Sequence, residues 1–295
     1  MKAAGKKASW ARWRRSSQLA VALFYVALPI ANYAGFHDVV GTLASIKIGP
    51  VDLVEPAGAL AAVLAGGRVT VTLLAGVAPL VLLAFALGPV FCSWVCPWGL
   101  VSESIGRWRH RGKARRWQQD APARMRAPRA ITLGLLLTGS FVLATPLAAL
   151  LAAPRLATAL PLETIYLRVV PSVTGGLLLP LLLLEVAGGR RLWCRALCPV
   201  GALANYLRTP VTLSPRFAVE RCTCPGVAVC QTSCAWGIDP RSMRLFDGCT
   251  NCFACVDACP AGGLRFGFRR EADAGRDADR DRARWKWIAA ADGRV

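Results

Sequence analysis

The chain has 295 residues, 55% of them hydrophobic, with a mean hydropathy of +0.42 and a formal net charge of +19. That apolar balance excludes an ordinary soluble protein of this size. The charge points away from nucleic acid as well, because Lys and Arg lie between long apolar blocks, as the positive-inside rule places them.

Residues 1–17 form a basic N-terminal segment with six Lys and Arg. Four apolar stretches follow, at residues 18–36, 69–91, 130–153 and 169–189. Each is long enough to span a bilayer core, which requires roughly 20 helical residues. The expected fold is an α-helical membrane protein of four transmembrane helices in two hairpin repeats, over residues 18–209, with membrane lipid as its surroundings. Nine Lys and Arg fall between Arg107 and Arg129, two in each of the other short loops and seventeen after the last stretch. This asymmetry places both termini on the cytoplasmic side of a bacterial inner membrane.

The second and fourth stretches end alike. Phe91-Cys92-Ser93-Trp94-Val95-Cys96-Pro97-Trp98-Gly99 is matched by Trp193-Cys194-Arg195-Ala196-Leu197-Cys198-Pro199-Val200-Gly201. Two C-x-x-x-C-P motifs at corresponding positions mark a parallel duplication. In a continuing helix, residues i and i+4 share a face. Cys92, Cys96, Cys194 and Cys198 are therefore candidates for further redox or ligand thiols. The plainer alternative is four small apolar side chains where helices end.

From residue 210 the apolar runs stop, and residues 210–268 read as a small α+β domain on the cytoplasmic side. Cys249-x2-Cys252-x2-Cys255-x3-Cys259-Pro260 is the bacterial ferredoxin run, in which three thiolates reach one 4Fe-4S cluster and the fourth reaches another. Zinc prefers two separated C-x2-C pairs, and a cytoplasmic disulfide framework is disfavoured. Upstream, Cys222, Cys224, Cys230 and Cys234 form an irregular quartet that keeps only the last interval. Crossed ligation then assigns Cys249, Cys252, Cys255 and Cys234 to one cluster, and Cys222, Cys224, Cys230 and Cys259 to a second. The irregular Cys222-Thr223-Cys224 step leaves a three-iron cluster open at the second site. Residues 269–295 read as a charged tail.

With two histidines, His37 and His110, and no C-x-x-C-H, no haem is expected. A redox-active membrane chain then takes quinol from the quinone pool as its natural partner, and quinol oxidation needs a group to receive protons. Glu185, Glu55 and Glu163 are the candidates, with the rival reading that the loop acids are merely solvated.

The spans, the paired F-C-S-W-V-C-P-W and W-C-R-A-L-C-P-V-G-A-L segments and the C-terminal cysteines resemble the NapH/MauN type of membrane ferredoxin. That type is related to the C-terminal half of NosR-type proteins. The resemblance implies a quinol dehydrogenase-type electron-transfer subunit that hands electrons to a partner ferredoxin or periplasmic redox protein. Its MauN side implies instead a role in methylamine utilisation, including maturation of a periplasmic enzyme such as methylamine dehydrogenase.

Overall fold

A computed structural model of the chain describes residues 10–109, 126–168, 173–188, 191–224, 229–241, 243 and 245–268. The tail expected at 269–295 and most of the basic central loop lie outside the described residues. The first helix, α1 (Trp10–Tyr33), carries Arg12, Arg14 and Arg15 in its opening turns and buries Arg14 and Gln18. A three-stranded antiparallel meander follows: β1 (Val39–Gly41), β2 (Ser45–Ile48) and β3 (Val51–Val54), with Val39 opposite Ile48 and Ile48 opposite Val51. It lies where the sequence reading expects only a loop.

Glu55 caps α2 (Pro56–Leu64), and Thr70 caps α3 (Val71–Leu87) by accepting from the Leu73 N–H. Gly76 in α3 has no room for a Cβ, which would collide with the carbonyl oxygen of Asp52 on β3. Gly88, at φ +69°, ends α3 in a backbone conformation that favours glycine. The chain continues through α4 (Val90–Trp94) and α5 (Pro97–Arg109). After the basic loop come α6 (Arg126–Val142), α7 (Leu147–Leu150), α8 (Ala153–Pro161) and a π turn at Leu162–Tyr166. The helix α9 (Val173–Gly188), a π turn at Trp193–Leu197 and α10 (Pro199–Tyr206) complete the helical body.

Among the described residues, no helix is long and apolar enough to cross a membrane, so the expectation of four transmembrane helices is corrected. The physical reasons differ between stretches. α3 and α9, with 17 and 16 residues, reach about 25 Å at 1.5 Å per residue, short of a hydrocarbon core of about 30 Å. α1 is longer, but charged residues occupy its first turns. The stretch at 130–153 is cut in two, because Ala144 adopts φ +48° and Pro146 follows it.

The C-terminal region is fastened to this body. Strands β4 (Ser214–Phe217) and β5 (Leu264–Gly267) pair antiparallel and hold between them the whole stretch that contains eight cysteines. Two short helices, α11 (Val229–Thr232) and α12 (Ala254–Ala258), lie inside that stretch. Leu213 N donates to Ala86 O, and Thr212 donates to Phe85 O, so the segment before β4 continues the end of α3. At the other end, Trp10 of α1 stacks on Phe253 at 5.1 Å between ring centroids, and Ala11 N donates to Asp257.

Candidate functional site: two sets of cysteines

The C-terminal loop turns tightly because two non-glycine residues, Asn251 (φ +50°) and Phe253 (φ +59°), adopt left-handed backbone. Such residues are uncommon and persist only where surroundings enforce them. Asn251 shows the enforcement. Fully buried, its amide donates to Leu87 O and Leu213 O while its carbonyl accepts from Arg208. Arg208 also donates to Cys249 O. Ser93 bonds Thr250, and the Trp94 indole donates to Asn251 O at 3.1 Å. Asn251 and Arg208 escape the sequence reading, since Asn251 is an unspecified position between Cys249 and Cys252 and Arg208 lies outside the cysteine motifs.

The fold gathers the eight C-terminal cysteines into two neighbourhoods. Cys234 lies against Cys249 and Cys252, and Cys255 feels Cys249, Cys252 and Cys234. Cys230 neighbours Cys259 and Cys222, and it shares an apolar cluster with Cys224, Cys255, Cys259 and Leu264, so Cys255 lies where the two groups meet. The last cysteine of each run thus sits with the other run. All eight are free thiols. Burial pushes Cys234 up to about 12 and Cys230 up to about 11, with Arg241 offsetting only part of the rise at Cys230.

No three His, Cys, Asp or Glu side chains among the described residues converge tightly enough for a single metal ion. A cubane presents separate irons to its four ligands and spreads them further apart than one ion does. The soft, anionic donor set and its two-group arrangement therefore fit iron–sulfur clusters.

The four remaining cysteines meet inside the helical body. Cys96 N and Cys198 N each bond back five residues, to Phe91 O and Trp193 O. In both junctions a proline then opens a new helix, where its missing N–H costs nothing. Cys96 receives the backbone N–H groups of Gly99 and Trp98, and Cys198 those of Gly201, Ala153 and Val200. Cys92, Cys96 and Cys198 lie close enough to feel one another, and Cys194 feels all three. The four line one cavity with Arg14, Arg191 and Trp236.

Around that cavity runs a charged network that the sequence reading counted only as topological charge. Glu103 of α5, 8% exposed, pairs with Arg14 (2.5 Å), Arg15 (3.1 Å) and Arg191 (3.4 Å). Burial alone would raise its pKa, yet Arg191 and Arg14 pull it down to about 2. Arg191 also lies over the Trp236 ring at 5.5 Å. Arg129 is buried too and donates to Arg195 O at 2.6 Å.

The three acids proposed for proton transfer separate. Glu163 accepts from Thr174, away from the cysteines. Glu185 is buried between Ser102 and the Trp193 N–H, and burial raises its pKa. Glu55, 4% exposed, takes the Ala57 and Gly58 N–H groups on its two oxygens, and burial nevertheless raises its pKa to about 7. It lines an apolar pocket with Leu43, Leu80, Leu83, Phe91 and Val200. Phe91 and Val200 also wall the cysteine cavity.

The 4Fe-4S binding domain family matches residues 69–116 and 171–213. Those segments contain both C-x-x-x-C-P junctions. This chain is an iron–sulfur protein of the electron-transfer class. More narrowly, it is similar to NapH- and MauN-named ferredoxin-type proteins over most of its length. The ferredoxin-type protein NapH of Haemophilus influenzae is 26% identical over 275 residues, 87% of this chain and 89% of its own. The methylamine utilization ferredoxin-type protein MauN of Paracoccus denitrificans is 27% identical over 265 residues, 85% and 76% of the two chains. YccM of Escherichia coli is 29% identical over 210 residues, 65% and 55% of the two. No solved structure matches the chain.

Proposed function

We propose that this protein takes electrons from a quinol and passes them through iron–sulfur clusters to a partner redox protein. The observation that carries the reading is Glu55, a buried acid in an apolar pocket whose walls Phe91 and Val200 are shared with the cysteine cavity. Such a pocket, mostly apolar with one polar group, suits a hydroxylated ring with a hydrocarbon tail. Leu82 of α3, between the pocket-lining Leu80 and Leu83, is exposed and adds apolar surface beside the pocket.

When bound, the clusters supply one-electron acceptance and donation. Cys249, Cys252, Cys255 and Cys234 are the proposed ligands of one, and Cys222, Cys224, Cys230 and Cys259 of the other. The chain's own residues handle the protons. Oxidation of a quinol to a quinone releases two electrons and two protons: one electron goes to each cluster, and Glu55 in its carboxylate form receives one ring-hydroxyl proton, releases it to solvent, and then receives the second. A base with a pKa near the working pH does this best. Leu80, Leu83 and Phe91 keep water from the ring.

Substituting Glu55→Gln should slow reduction by a quinol analogue about 10- to 100-fold, on the usual worth of a general base, while dithionite still reduces the clusters fully. In the parent protein, quinol-driven reduction should fall off as pH drops below about 7, where Glu55 takes up its proton. An unchanged quinol rate in Glu55→Gln would remove this pocket from the reading. Clusters reducible only by dithionite would favour maturation of a partner enzyme instead, the role suggested by the methylamine utilization name of the MauN relatives.

A further inference from the structure

We infer that Arg208 raises the reduction potential of the cluster proposed at Cys249, Cys252, Cys255 and Cys234 above that of the cluster proposed at Cys222, Cys224, Cys230 and Cys259. The inference rests on the iron–sulfur part of the reading above and is independent of the quinol. It makes Arg208 a positioning residue that sets where an electron rests, a role the family match does not assign.

Arg208 stands two residues past the end of α10 and is 3% exposed. A guanidinium keeps its charge at any working pH, so burying one is costly unless an anion compensates it. Its bonds go to neutral oxygens. Nη1 donates to Cys249 O at 2.9 Å, and Nη2 donates to Leu213 O at 2.9 Å, to Ser214 Oγ at 3.4 Å and to the Asn251 side-chain oxygen at 2.7 Å. Among the described residues it has no ion-pair partner, and its buried Nε has no acceptor. The same Asn251 oxygen lies 3.4 Å from the Cys249 sulfur, so one atom links the guanidinium to a proposed ligand.

The acids near this loop are engaged elsewhere. Asp247 is felt by the buried Arg129, and the exposed Asp257 accepts from the Ala11 N–H. Cys252 also feels Arg14 and Arg191, which outnumber the Glu103 they share. A four-iron cluster on four thiolates is anionic, and it supplies the negative charge that these surroundings lack.

The Cys230 side is built differently. Its buried guanidinium, Arg241, is held by Asp239 through two bonds at 3.1 Å, and Cys230 feels both partners, the acid more strongly. That ion pair leaves no net charge beside the sulfurs. Reduction adds one electron to a cluster, so a buried cation nearby stabilises the reduced form and raises the potential, whereas a neutral pair does not. Each cluster takes one electron, and no bond forms or breaks. The first electron therefore rests at the Cys249 site, whose Cys234 and Cys249 pack with Cys194 of the helical body, and a second occupies the Cys230 site.

The test is a potentiometric titration of the full-length, cluster-loaded protein with dithionite, read by low-temperature EPR, with iron measured in each sample. The parent should show reduction waves at separate potentials; clusters that reduce together in one wave overturn the proposal. R208Q removes the charge and should weaken one-electron reduction in the upper wave about tenfold, a fall of about 59 mV, with the lower wave in place. R208K keeps the charge without the forked hydrogen bonds, and its upper wave should stay near the parent value. If R208K shifts as far as R208Q, Arg208 is a structural clasp and the proposal fails. Since R208Q can fail to load iron, D239N supplies a second arm: with its acid gone, Arg241 should raise the lower wave toward the upper one. A D239N protein that moves the upper wave, or neither, equally overturns the assignment. Separate waves with the expected shifts, but no reduction by a quinol analogue, would remove the quinol reading and leave this inference standing.

Discussion

The two C-x-x-x-C-P junctions share both cysteines, the proline and a following glycine, but the first runs through a short α-helix, the second through a π turn, and their surroundings differ. Both close a five-residue hydrogen bond before the second cysteine, and both restart a helix on proline. The first is pressed from all sides. Gln18 donates to Cys96 O, Ser17 to Trp94 O, and Ser93 and Trp94 bond the C-terminal loop. Seven residues past its second cysteine stands Glu103, the acid shared by Arg14, Arg15, Arg107 and Arg191. The same position in the second junction is Asn205, a neutral amide that donates to Phe246 O. Duplication thus conserved the geometry that places sulfur and left each copy to acquire its own charge and neighbours.

The largest expected effect breaks this comparison at its charged end. Glu103→Gln leaves Arg14 and Arg191 buried without a counter-ion and should cost about 3–5 kcal/mol of stability in denaturant unfolding. Asn205→Ala, its counterpart, loses one buried hydrogen bond and should cost only about 1–2 kcal/mol. Equal losses would mean that the ion-pair network does not distinguish the two halves.

Acid should separate them next. Because the Glu103 pKa is held at about 2 in the folded chain, its contribution is full above the ordinary carboxylate range. It disappears as pH falls from about 4.5 to 2, a loss of roughly 3 kcal/mol. Unfolding free energies across that range should show this slope in the parent, and Glu103→Gln should flatten it.

The smallest effects test the glycines. A Cβ at Gly99 would lie 2.7 Å from Cys92 O and 2.8 Å from Gln18 Nε2, whereas one at Gly201 meets its nearest atoms at 3.6 Å and 3.7 Å. Gly99→Ala should therefore destabilise by about 1–3 kcal/mol. Gly201→Ala, in a helix with ordinary contact distances, should change stability by less than about 1 kcal/mol. Thermal unfolding of the two variants side by side decides the matter.

Much of the site was legible because cysteine spacing is local and its chemistry narrow. The duplicated junctions are marked in the sequence by their shared cysteines, proline and glycine, and the C-terminal run carries its own ligand geometry. What escaped was set by long-range packing. Arg14 reads as one of six basic residues before an apolar stretch, and only the fold turns it inward toward Glu103, 89 residues away. Glu55 was one of three comparable acids until the pocket singled it out. The four expected membrane spans failed for a different reason: hydropathy registers an apolar run but not the break at Ala144 and Pro146, nor the short reach of α3 and α9.

The contact between Trp10 and Phe253 has a bearing on how the chain is made. The opening turn of α1 donates a hydrogen bond to a residue 246 positions later, and its indole packs on the loop that bears Cys252 and Cys255. A ribosome releases the first helix long before that loop exists. Until then one end of the earliest element waits without its aromatic partners, and contacts of such sequence separation form slowly. Closure of the loop over this waiting helix is a late event in synthesis. Iron loading of the C-terminal sites then follows assembly of the helical body, and a chain stalled before residue 253 would display the Trp10–Trp94 pair uncovered by Phe253 for chaperones to bind.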